Sequence, residues 1–277
     1  MAPDLPYRGD GTGRPVDLTR MPLVLHGRPR KQWRYVGVFG ERLMLCAGVV
    51  RIGPIPQSFW AIWDRERQAL RERTRMRSPR RYVRLPPGRM LVTDGGASVD
   101  LVVEPGVPVE TVSAAGSAWI WTRKQGAVRV HGTVTLDGEE IAVDALGCVD
   151  ESAGFHERLT EWRWSAGAGE LSDGRVVGWN LVSGVHDAEV GSERTLWIDG
   201  SPVEVPAVVF ADDLSSVAFV GGESLEFSGE AVRERSDDLG LFRSEYSQPF
   251  GTFAGTLPGG LTLASGRGVM ERHTALW

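Results

Sequence analysis

Apolar and polar residues alternate over short stretches along most of the chain, and glycine and proline punctuate these stretches. Each stretch has the length of a β-strand rather than of a helix. Asp-Gly pairs follow several of them and are typical of hairpin turns, because glycine accepts a positive φ at little cost. The predicted hairpin turns are at residues 94–96, 137–138, 173–174 and 199–200, and the clearest predicted strands are 33–39, 42–51, 59–63, 160–165 and 175–182.

Glycine and serine also interrupt four longer apolar stretches, and we predict a strand on either side of each interruption. These pairs are 118–122 and 128–136, 224–227 and 230–235, 241–246 and 252–257, and 261–264 and 268–272. The pattern predicts an all-β protein built from two antiparallel barrels or strongly bent sheets packed together, which leaves few exposed strand edges. We expect a surface arm at residues 1–30 and two β domains at 31–148 and 149–277.

The stretch from residue 64 to 84 is rich in arginine. Arg71, Arg73, Arg75 and Arg77 recur at every second position, which is the period of a strand and not of a helix. We predict a hairpin with its turn at 64–67. The arginine row could face solvent, pair with acidic residues, or form a basic wall for an anionic ligand, and the sequence does not choose between these.

Composition and charge narrow the class of protein. The 277 residues are enough for a buried core without disulfides, and the net charge is −5. Residues 1–84 hold 18 Lys and Arg against 7 Asp and Glu, whereas the rest holds 13 against 29. This asymmetry favours an attraction between the two halves over an anionic partner, and we expect no nucleic-acid binding. Cys46 and Cys148 lie in apolar runs and are predicted to be reduced and buried.

No apolar run is long enough to span a membrane and the N-terminus lacks the pattern of an export signal, so we expect a cytoplasmic protein. Nucleophile-elbow, dinucleotide-binding and phosphate-loop motifs are missing. The five histidines and two cysteines show no metal-ligand spacing, so we predict no metal site and no cofactor. The oligomeric state is not determined by the sequence.

Polar and aromatic residues concentrate between residues 150 and 193, mostly at predicted strand ends. Apolar walls with a few polar groups are typical of a ligand site at a barrel mouth. Carboxyl groups beside indoles have a raised pKa, as a general acid requires. The candidate catalytic residues are His186, Asp187, Glu161 and His156, and the candidate ligand-binding residues are Trp162, Trp164, Trp179, Asn180 and Thr160. A second cluster, Glu271-Arg272-His273, fits a hydrogen-bonded strand end better than a catalytic pair.

Five segments carry a resemblance to a known family: residues 150–156, 160–167, 178–187, 246–253 and 268–273. They resemble an uncharacterised bacterial family of unknown function, which is remotely similar to the lipocalin-like hydroxyneurosporene synthases (carotenoid hydratases) and to AttH-like proteins. The resemblance implies two lipocalin-like (calycin-type) barrels. The His-Glu-Trp pattern of those relatives falls on Thr160-Glu161-Trp162, and their Gly-Trp-Asp pattern falls on Gly178-Trp179-Asn180.

The chain thus departs from both patterns, at Thr160 and at Asn180, and these departures affect the implied chemistry. The resemblance implies that the histidine and the aspartate of these patterns deliver protons in the hydratases. This chain has Thr160 and Asn180 at those positions, and neither side chain is an acid near neutral pH. We therefore favour binding of a hydrophobic or amphipathic small molecule, lipid- or isoprenoid-like, in a tryptophan-lined cavity at or between the barrels. The alternative is a hydratase, isomerase or cyclase that acts on such a molecule by acid–base chemistry.

Overall fold

Two antiparallel β-sheets dominate the structure, a computed structural model that describes residues 5–13, 15–238, 240 and 242–277. The strands of the first sheet are β1 (Tyr7–Gly9), β4 (Lys31–Phe39), β5 (Leu43–Ile52), β6 (Ile55–Asp64), β7 (Ala69–Arg75), β8 (Val83–Arg84), β9 (Arg89–Asp94), β10 (Ala97–Val103), β11 (Val109–Ala115), β12 (Ala118–Leu136) and β13 (Glu139–Gly154). A short hairpin of β2 (Val24–Leu25) and β3 (Arg28–Pro29) lies between β1 and β4, and a 3₁₀ helix spans Pro79–Arg81. The fold class predicted from the sequence is confirmed.

The second sheet follows the first in the chain and has nine antiparallel strands over the residues described. They are β14 (Leu159–Leu171), β15 (Val176–Ser183), β16 (Thr195–Ile198), β17 (Ser201–Glu204), β18 (Val208–Phe210), β19 (Ser216–Phe219), β20 (Ser224–Asp238), β21 (Arg243–Leu257) and β22 (Leu261–Leu276). Residues 149–154 pair with β4 and β12 and therefore extend the first sheet. Residues 1–4 of the expected arm lie outside the described residues, whereas β1 pairs with β11.

The two sheets share one strand order. Their principal paths are β7-β6-β5-β4-β13-β12-β10-β9-β8 and β17-β16-β15-β14-β22-β21-β20-β19-β18. In each path the first long strand of the unit, β4 or β14, pairs with the last strand, β13 or β22. From this central pair the chain runs strand by strand to one edge of the sheet, crosses to the opposite edge and returns strand by strand to the centre. The ends of these paths are β7 and β8 in the first sheet and β17 and β18 in the second.

Ion pairs and the indole of Trp60 connect β6 and β7 with β9 and with the turn between β12 and β13. Arg75 contacts both carboxylate oxygens of Asp94, at 2.9 and 2.6 Å, and the indole of Trp60 donates to Asp94 at 3.2 Å. Arg71 reaches Asp137 at 2.5 Å. The predicted hairpin of β6 and β7 is confirmed, and two arginines of its row pair with acidic residues from the later part of the chain.

Each sheet encloses its own apolar core. Residues that include Val36, Trp60 and Leu101 fill the concave side of the first sheet, and residues that include Trp179, Leu225 and Phe253 fill that of the second. A third cluster joins the outer faces of both sheets. Cys46 and Cys148 belong to this third cluster and are buried and free, as predicted. Buried apolar side chains therefore occupy the interior of both sheets.

The predicted division of four long stretches into pairs of strands is wrong, because β12, β20, β21 and β22 are each continuous. The interruptions contain bulges and crowded backbone rather than turns. In β12 the register shifts between Gln125 and Val128, where Ala127 has a φ of 51°. In β21 a Cβ atom on Gly251 would lie 2.1 Å from the carbonyl oxygen of Ser228. Glycine marks close approach of strands at this position.

Crowding of the same kind predicts the effect of Gly167→Ala in β14. A Cβ atom there would lie 2.1 Å from the indole of Trp179 and 2.7 Å from the carbonyl oxygen of Arg267. Because neither neighbour is a flexible chain end, we expect a loss of about 1–3 kcal/mol in the free energy of unfolding by urea. Gly229→Ala is the control, since the nearest atom to its Cβ lies 3.6 Å away. Equal stability of the two variants would contradict this account.

Candidate functional site

A cavity of about 150 Å³ lies between the two sheets, next to the apolar cluster that joins them. A cavity of this volume holds about one benzene-sized ring. Its walls are mostly apolar and carry several aromatic rings. The first sheet contributes Trp33, Tyr35, Phe59, Lys124 and Asp150, and the second sheet and its loops contribute Trp162, Trp164, His186, Glu193, Arg233, Tyr246, Glu271, His273 and Trp277, with His156 from the connection between the sheets.

Glu271 of β22 is a buried carboxyl group on the second wall. Its Oε1 accepts a hydrogen bond from the indole of Trp162 at 2.8 Å, and its Oε2 accepts one from the amide of Gln248 at 2.9 Å. Burial raises its pKa to about 7, although hydrogen bonds from Trp162 and Tyr246 favour the ionised form. The carboxyl group therefore changes protonation state close to neutral pH, which suits a proton donor or acceptor.

Lys124 of β12 links a carboxylate of the first sheet to one from a loop of the second. Its Nζ lies 2.7 Å from Asp150 and 3.2 Å from Glu193. Burial opposes the charge of Lys124, but the two carboxylates together raise its pKa. Burial also raises the pKa of Asp150, against the attraction of Lys124. For Glu193 the attraction of Lys124, with other contacts, outweighs burial and lowers the pKa. The cavity thus holds one ammonium group between acidic side chains from both sheets.

Two buried histidines line the cavity and have ring nitrogens without a hydrogen-bond partner among the described residues. His186 is 7% exposed and neither of its ring nitrogens has a partner, and His156 is 1% exposed and lacks a partner for Nδ1. Burial lowers the pKa of both imidazoles, so both are neutral near pH 7. Buried polar groups are normally hydrogen-bonded. His186 therefore offers a donor and an acceptor to a bound molecule.

A third histidine, His273, is already satisfied. Its Nε2 shares a hydrogen bond with the hydroxyl of Ser244 at 2.9 Å, and its ring packs 4.2 Å from that of Trp162. Burial lowers its pKa to about 3. Its contact with Trp162 holds the indole that donates to Glu271.

Every basic side chain in the described lining of the cavity has an acidic partner. Lys124 is paired as above, and the remaining pairs are Arg34 with Glu151 at 2.5 Å, Arg233 with Glu72 at 3.4 Å, and Arg235 with Asp237 at 2.5 Å. Arg233 also stacks over Phe59 and Tyr246, at 4.2 and 4.8 Å. The lining leaves no cation uncompensated for a carboxylate or phosphate ligand.

The structure brings four of the nine predicted site residues to the cavity: His156, His186, Trp162 and Trp164. Two more support it from behind. Asn180 accepts a hydrogen bond from the indole of Trp164 at 2.8 Å, and Thr160 accepts one from the indole of Trp277 at 2.9 Å.

The other three lie elsewhere. Trp179 packs inside the second sheet, 4.9 Å from the ring of Phe253, and its indole donates to Ser165 at 3.1 Å. Asp187 accepts a hydrogen bond from the backbone N–H of Gly184 at 2.7 Å and shapes the loop. Glu161 is exposed and does not line the cavity.

Lys124, Arg233 and Tyr246 are cavity residues that the sequence reasoning missed. One signal could have found Lys124. The chain has 31 basic residues, of which only Lys31 and Lys124 are lysines, and both are buried. Lys31 lies against the ring of Trp277, 4.7 Å from its centre, and burial lowers its pKa to about 8.

No group of three or more metal-binding side chains is found among the described residues. Over the same part of the chain, helices long and apolar enough to cross a membrane are also absent.

Two solved structures have a similar fold. A putative AttH from Nitrosomonas europaea is 14% identical, with 88% of this chain and 92% of that chain covered and a TM-score of 0.53. Kievitone hydratase from Nectria haematococca is 10% identical, with 87% and 88% covered and a TM-score of 0.56. The similarity to AttH-like proteins predicted from the sequence is confirmed at the level of the fold.

No curated protein matches the sequence significantly. The sequence profile of a family described as Domain of unknown function (DUF2804) matches residues 109–277, which is more than half of the chain and includes strands from both sheets. The chain therefore belongs to the family described as Domain of unknown function (DUF2804).

Proposed function

We propose that the protein binds a small, mostly apolar molecule, lipid- or isoprenoid-like, with a ring or a ring-sized end in the cavity between the sheets. The observation that carries the proposal is His186, a buried neutral imidazole in the cavity lining whose two nitrogens have no hydrogen-bond partner among the described residues. An uncharged hydroxyl or carbonyl group of the ligand would satisfy it.

The composition of the walls supports the same class of ligand. Indoles and phenyl rings provide apolar contact area, and a few polar groups suffice to orient a bound molecule. The cations of the described lining are compensated, which disfavours an anionic ligand. The fold likeness to kievitone hydratase, whose name gives it a small-molecule substrate, adds support.

A titration with β-ionone, an uncharged ring-bearing isoprenoid ketone, tests the proposal. We expect it to quench tryptophan fluorescence in a saturable way, because Trp162 and Trp164 line the cavity. The variant Val185→Trp places an indole in the cavity lining and should weaken binding by at least about tenfold, equivalent to about 1.4 kcal/mol.

Val190→Trp is the matched control, because Val190 is 74% exposed and lies outside the lining. It should bind β-ionone like the unmodified protein. Absence of saturable quenching, or equal weakening by both substitutions, would refute binding in this cavity. Mass spectrometry of molecules that copurify with the protein then identifies the natural ligand.

Acid–base catalysis on the bound molecule, as in a hydratase, isomerase or cyclase, is a second candidate function. One observation favours it: the carboxyl group of Glu271 lines the cavity and burial raises its pKa to about 7. Conversion of the copurified molecule during incubation, lost in Glu271→Gln, would support catalysis. Recovery of that molecule unchanged would leave binding as the function.

A further inference from the structure

Two acidic side chains approach the cavity from opposite sheets, and the strand registers place them around one contact. Asp150 of β13 is directly paired with Tyr35 of β4, and Glu271 of β22 is directly paired with Trp164 of β14. Directly paired residues in antiparallel strands face the same side, with neighbouring strands about 4.8 Å apart. The rings of Tyr35 and Trp164 touch edge-on across the sheets, with centres 5.6 Å apart. Asp150 and Glu271 therefore flank this contact from opposite walls.

The surroundings of the two carboxyl groups differ. Burial raises the pKa of Asp150, and the ammonium group of Lys124, 2.7 Å away, opposes this rise by favouring the ionised form. Among the described residues, no ammonium or guanidinium group lies within ion-pair distance of Glu271. Its carboxyl group is held by the neutral donors Trp162, Gln248 and Tyr246, and Arg233 acts on it only at longer range. Such a division of environments assigns one carboxyl group as base and the other as acid.

We infer that Glu271 and Asp150 form an acid–base pair that enolises an uncharged ketone bound between the sheets. This inference rests on the proposed binding function and names its substrate class. The ionised Asp150 removes a proton from the carbon next to the carbonyl group, and the electron pair of that C–H bond forms the new C=C bond. The electron pair of the carbonyl π bond moves to the oxygen atom, which takes the proton of Glu271. An enol forms, Asp150 becomes neutral and Glu271 becomes ionised. Return of the protons restores the ketone or moves the double bond, and no cofactor is consumed.

The uncharged substrate follows from charge compensation in the lining. A carboxylate substrate would find no free cation there among the described residues, because the four basic side chains of the lining are already paired. An ammonium substrate would compete with Lys124 for Asp150 and so remove the base.

Hydrogen–deuterium exchange provides a test without the natural substrate. The probe is 2-indanone, a rigid uncharged ketone, whose binding is first measured by tryptophan quenching. In D₂O we expect the protein to accelerate exchange of the protons beside the carbonyl group, followed by NMR. Glu271→Gln and Asp150→Asn should each lower the accelerated rate by about a hundredfold, with binding of the probe retained.

Two exposed carboxylates serve as matched controls. Glu245→Gln changes an exposed position of β21, and Asp144→Asn changes an exposed position of β13. Both should leave the exchange rate unchanged. Circular dichroism and retained binding establish that all four variants are folded.

The pH profile separates a chemical role from a structural one. Groups that face Glu271 are Trp162 of β14, Tyr246 and Gln248 of β21, Arg233 of β20, Asp150 of β13, and, through Gln248, Cys46 of β5. Exchange should fall above pH 7 in the unmodified protein, and this fall should disappear in Glu271→Gln. Binding without accelerated exchange, or exchange unaffected by both cavity substitutions, overturns the inference and leaves the binding function intact. Failure of both β-ionone and 2-indanone to bind overturns the binding function itself.

Discussion

Replacement of Lys124 by methionine is expected to lower the free energy of unfolding by about 3–5 kcal/mol at pH 7, because it leaves buried carboxylates without their cation. Lys124 is 4% exposed and lies within ion-pair distance of both Asp150 and Glu193. Methionine has a similar length and fills the space, so the loss measures the missing charge and not a cavity. Urea unfolding at pH 7 gives the value directly.

The control for this substitution lies on the same pair of strands. Arg129 of β12 forms an ion pair with Asp144 of β13 at 3.0 Å, but both side chains are more than 60% exposed. Exposed pairs are screened by water and contribute little, so Arg129→Met should leave stability nearly unchanged. The loss in Lys124→Met should also shrink at pH 5, where the abandoned acidic groups take up protons. A loss that is small, or independent of pH, would show that Lys124 does not neutralise them.

Substitution of Glu271 by glutamine is expected to change how stability depends on pH. Burial raises the pKa of Glu271 from 4.5 to about 7. Between these values the folded protein holds a proton that the unfolded chain has released, so the free energy of unfolding falls as pH rises through this window. The fall is complete above pH 7 and amounts to about 3 kcal/mol. Glutamine cannot ionise and removes it.

Urea unfolding of both proteins at pH 5 and pH 8 measures the effect as a difference. Relative to the unmodified protein, the variant should gain about 2–3 kcal/mol between the two pH values. Burial lowers the pKa of His273 to about 3, which makes the free energy of unfolding rise with pH below the ordinary pKa of histidine. Both proteins contain His273, so its contribution cancels when they are compared at the same pH. Glu245→Gln, at an exposed position, should show no such gain. A variant that parallels the unmodified protein at both pH values would mean that Glu271 titrates normally.

The fold was accessible from the sequence because strand periodicity and hairpin turns are local properties. The Asp-Gly turns at 137–138 and 199–200 have the positive φ values that their composition predicts. The continuity of β12, β20, β21 and β22 was not accessible, because glycine occupies both turns and bulges. Which of the two a glycine makes depends on the neighbouring strand, as Gly251 shows.

The site was accessible only where its residues lie close together in sequence. His186, Trp162 and Trp164 come from one polar and aromatic stretch, and the two indoles share a strand face because they are two residues apart. The same alternation turns Glu161 away from Trp162, and Trp179 away from Asn180. Glu271 meets them only through sheet pairing across more than 100 residues, and Lys124 lies in the other sheet. A single sequence carries no record of either contact.

The cavity has one wall from each sheet, and this has a thermodynamic consequence. A molecule bound there makes its full set of contacts only while both halves of the protein are native. Its binding energy is therefore shared between two units that each have a core of their own. Occupancy would make their melting more cooperative, and a fragment that contains either half alone would lose the ligand altogether.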